Sequence, residues 1–96
     1  MIIYMIQCDK EKCNMRYIGQ TERGLKFRLA EHRGYVTQGV INATGSHFRL
    51  PGHSVANLKI TVVEQVKKKD RAYREKREEY HINKFNTFYD GLNKQQ

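Results

Sequence analysis

Two β-prone runs, Ile2 to Gln7 and Met15 to Gln20, flank a charged, turn-like stretch from Cys8 to Asn14. Their closeness predicts an antiparallel hairpin. That pairing constrains the rest, because a chain of 96 residues makes one small domain with little room for a large core. Thr21 is a good N-cap for a helix running to about Arg33, with Leu25 and Leu29 as its buried stripe and Gly34 as its stop. Gly34, Gly39, Gly45, Pro51 and Gly52 then predict a loop-rich passage as far as Asn57, with a short helix near Ser46 to Leu50. Leu58 to Val66 alternates as a third strand, and Asp70 caps a long final helix to about Asn86. This order predicts an α+β fold, a small three-stranded antiparallel sheet flanked by helices, as a single domain over residues 1–96.

Apolar residues make up 39% of the chain and the mean hydropathy is −0.81, so the core is thin and a staple would help it. No apolar run approaches the roughly 18 residues of a membrane span. The opening Met1 to Ile6 is too short, and lacks the basic flank, for a signal peptide. With 18 Lys and Arg against 10 Asp and Glu, the formal charge is +8. Such a surplus favours a polyanionic partner through counterion release, the plain alternative being a soluble basic protein. Two cysteines without a leader point to a reducing compartment, cytoplasm or nucleus, where thiols or metal ligands outrank a disulfide.

Three constellations carry chemistry. Tyr4 and Tyr17 fall near matching ends of the paired strands, so their hydroxyls converge on one pocket. Arg28 and His32 project from one helix face at i and i+4. A phenol needs a basic neighbour or a metal to take a proton at neutral pH, and an arginine fork suits two phosphate oxygens. Tyrosines in strands and a solvated Arg/His face are the bland reading of the same residues. On the final helix Glu78 shares a stripe with Ile82 and Phe85, where an acid needs a cation, a hydrogen bond or a metal. A divalent ion such as magnesium and a salt bridge to Arg74 are equal candidates. Finally, Cys8 and Cys13 with His47 and His53 make a donor set suited to tetrahedral zinc, although four such residues can also occur by chance.

Tyr4, Tyr17-Ile18-Gly19, Arg28, His32, Glu78 and Gly91-Leu92-Asn93, in that order, resemble the GIY-YIG endonuclease family. Tyr4-x-Ile6-x-Cys8, Cys13, and His47-x5-His53 preceded by Gly52 resemble its Penelope-type retroelement branch. Ile2 stands where most of the family has glycine, a difference shared by that branch. The resemblance covers nearly the whole chain. It implies a metal-dependent hydrolase that nicks DNA, with Tyr4 and His32 activating a water. Arg28 would hold a phosphate oxygen and Tyr17 would bond the phosphate or the water, the two tyrosines being able to exchange or share roles; Glu78 would hold Mg2+ or Mn2+, and Asn93 would support the site. Lys67-Lys68-Lys69 and the last helix would meet backbone phosphates. It also implies a structural Zn2+ on Cys8, Cys13, His47 and His53, no small-molecule cofactor, and a possible place within a larger protein. The contrasting expectation is a zinc-stapled nucleic-acid-binding module without activity.

Overall fold

The structure, a computed structural model, describes residues 1–93. Strands β1 (Ile2–Cys8) and β2 (Arg16–Thr21) form the hairpin, and helices α1 (Leu25–Thr37) and α2 (Ala43–His47) follow. A 3-10 turn (Val55–Asn57) leads into β3 (Leu58–Gln65), and α3 (Arg71–Lys84) and α4 (Thr87–Asp90) end the described chain. The sheet is three-stranded and antiparallel in the order β2-β1-β3, so the α+β expectation holds. No helix among the described residues is long and apolar enough to cross a membrane.

Alternation along β1 splits the core in two. Tyr4, Ile6 and Cys8 join Tyr17, Val36, Phe48 and Leu58 on the side covered by α1 and α2. Ile3 joins Ile18 and Val66 in a second cluster, closed by Ile82 of α3 and by Phe85 just past its end. The sheet therefore lies between α1 and α2 on one face and α3 on the other.

Several boundaries differ from those expected. Thr21 does not cap α1; it pairs with Ile2 as the last residue of β2, and its hydroxyl accepts the amide of Arg23 at 3.0 Å in a side-chain turn. Gly24 is the residue before α1, and Gly34 lies inside that helix. The helix continues because Val36, one turn on from His32, still has core to bury, and Gly39 supplies the left-handed turn after it (φ 72°). The short middle helix begins earlier than expected, because Asn42 caps it by accepting the Gly45 amide at 2.7 Å. Asp70 does cap α3, accepting from Ala72 and Tyr73. The small α4 was not legible in the sequence; Asn86 turns the chain into it with φ 53°.

Gly19 is where the hairpin and the site meet. It faces Tyr4 across the strand pair, and a Cβ there would strike the Tyr4 hydroxyl, lie 2.5 Å from its Cζ and lie 2.9 Å from the Tyr17 ring. Since the Tyr4 side chain is fully buried, it has nowhere to retreat. Gly19→Ala should cost about 3 kcal/mol by overpacking, read from chemical denaturation. An alanine variant as stable as the parent would contradict this packing.

Candidate active site and metal cluster

The hydroxyl of Tyr4 sits at the centre of a hydrogen-bond chain. Arg28 donates from Nε to the Tyr4 oxygen at 2.8 Å, and the same oxygen lies 2.9 Å from Nε2 of His32. A guanidinium only donates, so the phenol oxygen accepts from Arg28; in the tautomer where the phenol donates to His32 Nε2, the proton of the neutral imidazole sits on Nδ1. That Nδ1 is buried without a partner. Tyr17 completes the group, its ring 6.4 Å from that of Tyr4 and 5.7 Å from that of His32.

Burial sets the electrostatics. It pushes the Tyr4 phenol above its ordinary range, with Tyr17 adding to the shift and Arg28 opposing it. It also holds His32 down to about 4, helped by the charge of Arg28. For Arg28 burial works against the charge, but Tyr4 and Tyr35 outweigh it and the guanidinium stays charged. The site at rest is thus a neutral phenol, a neutral imidazole and one fixed cation. Tyr17, Arg28, His32, Tyr35, Asn42 and Thr44 line an open hollow of about 260 Å³ beside it.

Folding leaves a pH signature. The unfolded chain takes the His32 proton near pH 6.5, and the folded chain takes it only near pH 4. Between those values the unfolded state holds more protons, so stability is full above about 6.5 and falls as the pH drops towards 4. The loss is on the order of 3 kcal/mol. His32→Gln should flatten that part of the curve, measured as the difference between parent and variant at pH 7 and pH 5. Parallel curves for the two proteins would contradict the buried neutral imidazole.

Glu78 is half-buried on α3, close enough to Tyr4 for its charge to raise the phenol. Burial, then Glu75, pushes its own carboxyl above the usual range. Among the described residues no cation or hydrogen-bond donor engages it. The salt bridge to Arg74, open on the sequence, is not formed, because Arg74 pairs with Glu22. A carboxylate so placed fits a hard divalent cation, which takes one carboxylate and fills its remaining positions with water and phosphate oxygens.

Asn93 holds the other side of the site. Its Oδ1 accepts the Ile18 amide at 2.8 Å and its Nδ2 donates to the Ile18 carbonyl at 2.8 Å. The Leu92 amide bonds the Arg16 carbonyl at 2.8 Å. The tail thereby pairs with the free edge of β2 and fixes the strand between Tyr17 and Gly19.

Cys8, Cys13, His47 and His53 converge so that one donor atom from each lies within 4.8 Å of the others. Both cysteines are free thiols. Cys13 Sγ is 3.5 Å from His47 Nε2, and the Cys8 and Cys13 thiols face each other within the same cluster. His53 Nδ1 donates to the Pro51 carbonyl at 3.4 Å, which leaves its Nε2 buried and unpartnered. An unpartnered ring nitrogen among two thiols and a second imidazole fits a metal, and the carbonyl contact is the outer support that aims such a ligand. Burial raises the Cys8 thiol and lowers His47, so the ring stays neutral and able to ligate. The four residues form a Cys2His2 cluster that can hold a structural zinc ion.

The sequence reading missed Tyr35, which lines the hollow with Arg28 and meets His32 edge to face at 5.3 Å. It also missed Glu31, which accepts from Arg28 Nη1 at 3.3 Å. Arg28, His32 and Tyr35 follow one another at i, i+4 and i+7, a stripe that the sequence does carry. Comparison of the chain with protein-family models, with curated proteins and with solved structures yields no match.

Proposed function

We propose that this chain is a divalent-metal-dependent endonuclease that nicks DNA, built on the GIY-YIG plan in its Penelope-type form. The observation that carries the reading is the chain from the part-buried Arg28 through the buried Tyr4 to His32, with the unpaired carboxylate of Glu78 nearby. Because burial raises the phenol, almost no free phenolate exists at neutral pH to act as the base, which favours a relay. Tyr4 accepts a proton from the attacking water while passing its own to His32 Nε2, leaving an imidazolium. A bound phosphate neutralises Arg28, whose charge helps hold His32 down, so substrate itself makes the imidazole a better acceptor. Arg28 and Tyr17 hold the phosphate oxygens from the wall of the hollow. A magnesium or manganese ion on Glu78 would supply charge stabilisation for the phosphate and the leaving 3′ oxygen.

DNA is the partner that the charge favours. The formal balance is +8, and Lys67, Lys68 and Lys69 line a hollow with Arg74. Cys8, Cys13, His47 and His53 would carry a structural zinc, with no position open for water or substrate. The Cys2His2 cluster also favours a second reading, a zinc-stapled nucleic-acid-binding module without activity. A supercoiled plasmid separates the two. The nuclease reading expects relaxed circles with magnesium and none with chelator at matched DNA binding. Binding without any nicking would favour the module.

A further inference from the structure

The three arginines of α3 are each paired with a carboxylate other than Glu78. Arg71 binds Glu75 at 3.0 Å, Arg77 binds Glu64 at 2.7 Å, and Arg74 binds Glu22. Positions three and four residues from Glu78 on the helix are Arg74, Glu75, His81 and Ile82. His81 is taken by Glu64 at 2.8 Å, so Arg74 is the cation within helical reach of Glu78. Its guanidinium is drawn the other way. One terminal nitrogen donates to Glu22, just past the end of β2, and the other to the Lys69 carbonyl at 3.3 Å.

We infer that Glu22 is a positioning residue, which holds Arg74 away from Glu78 and so keeps that carboxylate open to a divalent cation. This rests on the reading of Glu78 as the metal ligand. The Glu22 side chain is 72% exposed, and an ion pair that open contributes little to stability. Its consequence lies in where the arginine goes. Released, Arg74 falls back on Glu78 as an ordinary i,i+4 partner, occupies the oxygens and sets a positive charge beside the ion. A unit charge about 6 Å from a divalent ion in water weakens binding on the order of tenfold.

The test titrates Mn2+ into the zinc-loaded protein and follows broadening of the backbone amide signals around Glu78. Glu22→Gln should weaken Mn2+ binding about tenfold. Adding Arg74→Gln to that variant restores the net charge of the parent and should bring affinity back to within about twofold. A merely structural pair behaves oppositely, since a second substitution cannot repair lost packing. Parent-like affinity in Glu22→Gln, or no recovery in the double variant, overturns the inference. Mn2+ binding that survives Glu78→Gln overturns both this inference and the reading of Glu78 on which it rests.

Discussion

Replacing Glu78 with alanine should slow DNA cleavage by at least about a hundredfold while DNA affinity stays within about twofold. On the proposed reading the two effects separate, because the carboxylate offers phosphate no attraction, whereas the charge that would draw DNA sits on Lys and Arg side chains. Arg28→Ala should fall by a similar factor, on the order of 10²–10³, because the proposed role of the guanidinium is to meet the charge that gathers on the phosphate in the transition state. It also removes the donor that aims the Tyr4 proton at His32. Single-turnover cleavage alongside a salt-titrated binding curve reads both quantities. If Glu78→Ala cuts as fast as the parent, the acid has been given the wrong role.

Removing zinc should be the most damaging change to the fold. Structural zinc contributes on the order of 10–16 kcal/mol in small zinc domains, comparable with the roughly 5–15 kcal/mol of net stability of a whole domain. In a chain only 39% apolar, the ion would be a main support. Protein purified without added metal should hold about one zinc per chain. Cys13→Ser should lose that zinc and melt at least about 10 °C lower. Activity should fall with it. Cys8 ends β1, the strand that carries Tyr4, and His47 ends α2, whose Thr44 lines the hollow. A metal-free preparation with the same melting temperature would leave the two cysteines as plain thiols.

The parts legible in the sequence were those with a local period. The β-prone apolar run of Ile2 to Gln7 and the alternation of Leu58 to Val66 mark strands of the sheet, and Asp70 marks the start of α3 because its carboxylate serves two amides of the next turn. Gly34 misled, because a glycine stops a helix only where burial stops, and Val36 still had a core to enter. Asn42 carries no clear cap signal in the sequence, because no long apolar run follows it. Tyr35 could have been found as the third member of the Arg28–His32 stripe. The fate of Glu78 could not. Its alternatives were set by Glu22, a residue far along the chain whose pairing with Arg74 exists only once β2 and α3 are side by side. The Ile18 clamp by Asn93 is likewise tertiary, with no period or cap to announce it.

The relay is tested most directly by removing one oxygen. Tyr4→Phe keeps the buried ring that Gly19 accommodates and deletes only the hydroxyl between Arg28 and His32. Single-turnover cleavage of DNA by the zinc-loaded chain, with magnesium in excess, should be at least about a hundredfold slower in this variant at unchanged DNA affinity. Equal rates in parent and Tyr4→Phe, or a parent that binds DNA and never cuts it, would contradict the account.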